Sequence, residues 1–316
     1  MNLRGFTLIG FVLMICTGTR AQAPANETRT SAGSAFDQFS SPDKRTVIPF
    51  ELAPNGILFQ LRIAGSSERL WFSLDTGSGA SYLDSAVANR LGLRASGNGA
   101  VHGAGAGSVP VDFIDSVTFE LPGLSSSQHR VNTTDLSGLQ WNHRIDGFLG
   151  YDFISRYVIT IDYEAGKMTV AEAAVYSYAG AGEIFPIKFR GKWPYIEGTI
   201  AVPGVKPETG EFLVDSGSGD AVDDPTIART TGPVRKVKTG IGLGHPGEGV
   251  LGCALYLQLG SFRLNAPIAA CCSNNPDDQR KLGTEVLRRF TVILDYVRKR
   301  MILEPNSNFK QSFPDA

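Results

Sequence analysis

Cysteine is scarce in this 316-residue chain: there are four, none in a Cys-x-x-Cys pair, so neither a structural zinc site nor a dithiol redox centre has ligands at the required spacing. The four histidines, at 102, 129, 143 and 245, show no metal-ligand spacing either. His-Glu-x-x-His, Gly-x-Ser-x-Gly and Walker A runs are all missing, which leaves zinc-protease, serine-hydrolase and P-loop chemistry without an anchor. Charge of one sign is missing too. Thirty basic residues face 31 acidic ones, so the basic footprint of a nucleic-acid or anionic-membrane partner is not there. No metal or cofactor is expected. Long apolar runs are confined to residues 6–16, too short to span a bilayer.

That one apolar run has its own meaning. Arg4 precedes it and Thr19-Arg20-Ala21 follows as a small-x-small cleavage site, so residues 1–21 read as an export signal. An uncleaved anchor is the alternative. A lipoprotein signal is disfavoured because bulky Ile15 precedes Cys16. Residues 22–45 are rich in Ala, Ser, Thr and Pro and read as a flexible lead or short pro-segment. The mature chain is therefore expected in the periplasm, at the cell surface or outside the cell. In such an oxidising compartment Cys253 can pair with Cys271 or Cys272, leaving one thiol free.

Glycine, by contrast, is abundant, and 36 of them imply many turns and a β-rich fold. Two of those turns carry an acid. Phe72-Ser73-Leu74-Asp75-Thr76-Gly77-Ser78-Gly79 is an apolar strand ending in a carboxylate, and Phe212-Leu213-Val214-Asp215-Ser216-Gly217-Ser218-Gly219 writes it again. An ionisable group at the end of a buried strand is costly unless something satisfies or uses it. A single Asp-Thr-Gly is an ordinary turn. Two, in matching surroundings, are not.

The surroundings do match. Val47-Ile48-Pro49-Phe50 parallels Ile184-Phe185-Pro186-Ile187, and the strand at 58–63 parallels that at 195–200. After each turn comes a short helix: Asp84 caps 85–91 with Gly92 at its end, and Asp224 caps a helix starting at Pro225 and ending at Gly232. Capping also accounts for the acidic cluster Asp220, Asp223 and Asp224 without a metal. Phe148-Leu149-Gly150 leads to Tyr157-Val158-Ile159-Thr160-Ile161-Asp162, and Lys281-Leu282-Gly283 leads to Phe290-Thr291-Val292-Ile293-Leu294-Asp295, with Arg156 and Arg289 in register. The repeat divides the chain into halves at 46–178 and 179–305, with a tail at 306–316.

On these residues the chain resembles the aspartic proteases of the pepsin and retroviral-protease type, over roughly 46–304. The resemblance implies an all-β fold with minor helices: two similar pepsin/retropepsin-like β-barrel lobes related by pseudo-two-fold symmetry, the active site at their interface. Each half is shorter than in digestive pepsins, nearer to two fused retroviral-type units, as in exported bacterial members. Asp75 and Asp215 take the catalytic positions, and Thr76, Gly77, Ser216 and Gly217 support them. The apolar-apolar-Gly element beside each Asp is met fully by Phe148-Leu149-Gly150 and only in part by Lys281-Leu282-Gly283. A flap is implied around Val101-His102-Gly103, with His102 where pepsins usually carry Tyr, and residues 239–249 resemble a remnant of a second one. The implied activity is cleavage of a polypeptide by a monomer, without cofactor.

Three rivals are weaker on the sequence. Gly242-x-Gly244-x-x-Gly247 mimics a dinucleotide fingerprint, but Pro246 interrupts it and no clear helix follows. A glycosidase also uses two carboxylates but has no need of mirrored Asp turns. A non-catalytic pepsin-like binding or inhibitor protein usually lacks one Asp or its Gly, and both are intact here.

Overall fold

The computed structural model describes residues 37–313 apart from 55, 104, 140, 141, 240, 241, 246 and 272–279, and of residues 239 and 271 only the backbone. The export segment expected at 1–21 and most of the lead lie outside these residues. Strands make up 53% and helix 7%, as the all-β reading requires.

Three sheets carry the fold. A nine-stranded sheet is built from the first half of the chain and a ten-stranded sheet from the second. A six-stranded sheet takes Arg45–Pro49, Tyr157–Asp162 and Lys167–Glu172 from one half and Glu183–Pro186, Phe290–Asp295 and Arg300–Pro305 from the other. Its two central strands, Tyr157–Asp162 and Phe290–Asp295, are nearly continuous apolar runs because both their faces are covered, whereas the outer Arg45–Pro49 and Glu183–Pro186 alternate exposed and buried residues. At its centre Tyr157–Asp162 runs antiparallel to Phe290–Asp295, with Val158 opposite Asp295, Thr160 opposite Ile293 and Asp162 opposite Thr291. Thr160 thus faces the residue that corresponds to it in the sequence repeat.

The two larger sheets position the acidic turns in the same way. Leu70–Leu74 is buried and pairs in parallel with Gly147–Leu149, which in turn pairs antiparallel with Ser81–Asp84. Glu208–Val214 pairs in parallel with Lys281–Leu282, which pairs antiparallel with Val222–Asp223. A parallel neighbour on one side and an antiparallel one on the other fix the height at which each strand ends.

Helix punctuation follows the sequence with one adjustment. Asp84 caps Ser85–Arg90 by accepting from the Ala86 and Val87 amides, and Gly92 leaves at φ +68°, a conformation glycine adopts without strain. Asp224 caps the second segment, but Pro225–Arg229 is a 3-10 turn, and it ends at extended Thr230 before reaching Gly232. The proline supplies no N–H, and two β-branched threonines follow, so one turn is all the segment sustains.

Both ends of the described chain are tied down. Residues 37–45, expected as flexible lead, include the strand Asp37–Phe39, held on the edge of the first sheet by pairing with Leu124–Thr134. Phe39 packs edge-on to Tyr157, and Asp37 pairs with Arg156 at 3.3 Å. At the other end Arg289 is 1% exposed and donates to the carbonyls of Glu285, Asn308, Gln311 and Ser312, while Phe313 lies under its guanidinium. Removing a buried donor set strands its acceptors in a dry site. Arg289→Met is therefore expected to lower unfolding free energy by about 3 kcal/mol in urea titration, more than Arg156→Met, whose side chain is 23% exposed.

Candidate functional site

The strands Leu70–Leu74 and Glu208–Val214 each end on an aspartate, and the two turns that follow are bolted to each other. Thr76 and Ser216 are each 2% exposed. Thr76 Oγ1 donates to the Val214 carbonyl at 2.6 Å and accepts from the Ser216 amide at 2.9 Å. Ser216 Oγ donates to the Leu74 carbonyl at 2.8 Å and accepts from the Thr76 amide at 3.1 Å. Each hydroxyl thus makes two hydrogen bonds to the opposite turn. The amides of Asp75 and Asp215 are also fixed, each donating at 2.9 Å, to Leu149 and Leu282.

The glycines decide where the carboxyl groups go. A Cβ on Gly77 would lie 2.6 Å from Asp215 Oδ1, and one on Gly217 would lie 2.6 Å from Asp75 Cγ. Each carboxyl group therefore occupies the space that a side chain on the opposite turn would fill. Gly217 N–H also donates to Asp215 Oδ1 at 3.0 Å. Asp75 Oδ1 is buried and has no hydrogen-bond partner among the described residues, an arrangement that favours a protonated group or one awaiting a ligand.

Electrostatics separates the two acids. Burial, then the charge of Asp215, pushes Asp75 up to about 8, against smaller opposite pulls from the Gly77 amide, the Lys281 ammonium and the Ser78 amide. Burial also raises Asp215, but the Lys281 ammonium 3.7 Å from its Oδ2 holds it down. Lys281 Nζ is 2.8 Å from Asp223 Oδ2. Burial alone would weaken its charge, yet Asp223 and Asp215 together keep it firmly protonated. Lys281 was the residue that the sequence reading left without a role. Its signal was already visible, as the one departure from the apolar-apolar-Gly pattern. The acidic cluster resolves into separate functions: Asp224 caps a turn and Asp223 holds the lysine.

His102 and Gly103 lie at the tip of the hairpin made by Gly97–Val101 and Val109–Leu121. His102 is exposed, and its Nδ1 donates to the Gly107 carbonyl at 3.0 Å, so its hydrogen bond stays inside the hairpin. The second half carries more than a remnant at 239–249. Val234–Thr239 and Gly247–Cys253 form a hairpin of six residue pairs, and the two tips meet. Gly105 N–H donates to the Leu243 carbonyl at 2.9 Å, and Ala106 and His245 exchange hydrogen bonds of 2.8 and 3.0 Å. Side chains on Gly103 or Gly105 would collide with the backbone of 243–245. Leu243 packs against the cluster of Tyr82, Val111, Leu136 and Phe148. Residues 104, 240, 241 and 246 of these tips lie outside the described residues.

Two other arrangements are set aside on geometry. His129 sits between Ser126, at 2.8 Å, and Asp152, at 3.0 Å, in the order of a nucleophilic triad. Both Ser126 and His129 are 0% exposed, however, and Ser126 is also engaged by Tyr157 and Asp37, so no substrate reaches the hydroxyl. Of the two bridges open to Cys253, the one to Cys271 is corrected. Cys253 is exposed and unpaired among the described residues and lies opposite Ile268, while Cys271 lies opposite Val250. Three residues of strand put about 10 Å between them, beyond the roughly 7 Å a disulfide spans. Cys272 lies outside the described residues. No helix among the described residues is long and apolar enough to cross a membrane.

A family model described as aspartyl protease matches residues 59–153, the stretch from the strand before Asp75 through Phe148-Leu149-Gly150 and the turn after it. The match supports an aspartic protease, a peptide hydrolase acting on polypeptide. No curated protein matches the chain.

The buried proton on Asp75 has a consequence for stability. In the unfolded chain this carboxyl loses its proton near its ordinary value of about 3.9, whereas in the folded chain it keeps it to about 8. The contribution is fully present below the ordinary value and drains as pH rises through about 8. Asp75→Asn, which cannot ionise, is expected to raise Tm at pH 8 by about 3 °C or more and to leave it unchanged at pH 4. Calorimetry at the two pH values measures this.

Proposed function

We propose that the chain is an aspartic endopeptidase of the pepsin/retropepsin kind: two similar lobes related by a pseudo-two-fold, with water activated between Asp75 and Asp215 at their interface. One observation carries the reading, the placement of each carboxyl group beneath the glycine of the opposite turn. The lobe assignment is supported by the central seam of the six-stranded sheet, where Thr160 faces its counterpart Ile293. The N-terminal sequence supports export to the periplasm, cell surface or exterior. A monomer suffices, because both halves of the site are on one chain.

The chemistry follows from two carboxyl groups that cannot both ionise cheaply. One is ionised and one protonated in the resting pair. The carboxylate takes a proton from water as the water oxygen bonds to the peptide carbonyl carbon, and the acid gives its proton to the carbonyl oxygen. A neutral gem-diol results, and the protonation states of the pair have exchanged. In the second step the diol returns a proton to the group now ionised, the other group protonates the amide nitrogen, and the C–N bond breaks. Carboxylic acid and amine leave, and the pair is back in its starting state. The cross-bonded turns hold both groups in place throughout, so little reorganisation accompanies the transfers. The two hairpins, joined at their tips, act as the cover that parts to admit a peptide and closes to exclude water.

Incubation with an unfolded polypeptide between pH 3 and 7 tests the reading. The wild type is expected to cleave, with the rate falling at low pH where both acids are protonated. Asp75→Asn and Asp215→Asn are each expected to lose about 10³-fold or more, while Ser126→Ala keeps its activity. Cleavage surviving in either Asn variant sinks the assignment. A protein that cleaves nothing but retains a partner on a column is a binding member of this fold instead.

A further inference from the structure

The repeat breaks its symmetry at one point beside the acids. In the first half Phe148 is paired across the sheet with Tyr82, and the two rings stack at 4.7 Å. In the second half the position of Phe148 is taken by Lys281, whose antiparallel partner across the sheet is Asp223. An aromatic pair flanks Asp75 and an ion pair flanks Asp215. We propose that Lys281 is a positioning residue that polarises the pair, so that Asp215 is the carboxylate that deprotonates water and Asp75 is the acid that protonates the carbonyl. This rests on the peptidase reading above and assigns the two roles within it.

The geometry is one-sided. Lys281 Nζ lies 3.7 Å from Asp215 Oδ2, and only 19% of its side chain is exposed, so solvent screens the contact weakly. The other charged or titratable groups that face the pair do not reproduce the effect. Asp223 is engaged by Lys281 itself at 2.8 Å, and Asp220 adds negative charge on the solvent side. Arg280, the neighbouring cation, is turned to Glu208 and Asp224, each within 2.8 Å. Tyr82 and Tyr296 face the acids with neutral hydroxyls, both held protonated first by burial. Among the described residues Lys281 is thus the cation that reaches Asp215. On the other side Asp75 has the Tyr82–Phe148 stack, the Gly77 and Ser78 amides and a buried, unpaired Oδ1; the Lys281 charge lowers it too, but the direct contact at 3.7 Å is to Asp215.

An opposite charge within ~4–6 Å lowers a carboxyl titration by about 1–3 pH units. Removing it shifts both steps of the pair upward, since each step adds negative charge beside Lys281. The acidic limb of kcat/KM, which reports the free enzyme, moves with the lower step. A lysine that merely packs would change the amount of folded protein and leave that limb where it is.

The test follows the two carboxyl carbons by NMR in protein labelled with [4-¹³C]aspartate, with signals assigned through Asp75→Asn and Asp215→Asn. In the wild type at pH 5–6 Asp215 is expected to give an ionised signal and Asp75 a protonated one. In Lys281→Met both titrations, and the acidic limb of cleavage, are expected to rise by about 1–3 units, and Lys281→Arg is expected to restore them. Lys281→Met leaves half-buried Asp223 without its partner, so Lys281→Met/Asp223→Leu provides the folded control, an apolar pair like that of the first half. It is expected to shift in the same direction by a smaller step, because the Asp223 charge leaves too. Titrations that coincide with wild type in both variants, or an ionised Asp75 beside a protonated Asp215, overturn the proposal. The NMR reading needs no turnover. If the titrations shift as expected and nothing is cleaved, the peptidase reading fails while the polarisation stands; if peptides are cleaved and the titrations do not move, the polarisation fails alone.

Discussion

Four hydrogen bonds across a two-residue contact hold the centre of this protein. Thr76 and Ser216 each reach past their own turn to the backbone of the other, so each turn is held in part by its partner. The contact is closed to water, which makes each bond costly to lose and the geometry hard to vary. Everything near it is arranged to allow that closeness. Glycine follows each hydroxyl residue because any side chain there would occupy the space of a carboxyl group. The flanking strands are buried and paired on both sides, so the turns arrive at a fixed height.

The six-stranded sheet is the second constraint. It draws three strands from each half and joins them along Tyr157–Asp162 and Phe290–Asp295. With the halves locked there and at the acidic turns, the remaining freedom lies in the hairpins, whose tips touch through a few backbone bonds and glycines. Rigid centre and lightly joined cover are what a peptide-cleaving site needs: fixed acids and an entrance that opens. Arg156, through Asp37, and Arg289, through residues 308–312, anchor both ends of the described residues to the rigid part.

What the sequence disclosed was whatever is local. Strand, acid, hydroxyl and glycine are consecutive in Leu74-Asp75-Thr76-Gly77 and again in Val214-Asp215-Ser216-Gly217, so the paired turns could be read directly. The caps at Asp84 and Asp224 were legible for the same reason. What stayed hidden depends on register between distant strands. Lys281 looked like an imperfect motif until its strand was seen to place it opposite Asp223 and within reach of Asp215. Of the two partners the sequence left open for Cys253, Cys271 fails by three residues of register. The meeting of the hairpin tips, and the closing of residues 308–312 onto Arg289, are contacts for which no periodicity or spacing rule exists.

The central claim is that Asp75 and Asp215 act on one molecule held between them. A crystal structure with a peptide carrying a statine hydroxyl, which mimics the tetrahedral carbon, tests this most directly. The account predicts the hydroxyl within ~2.6–3.2 Å of both carboxyl groups, under the joined hairpin tips. A peptide bound elsewhere, or a hydroxyl reached by only one of the two acids, would contradict it.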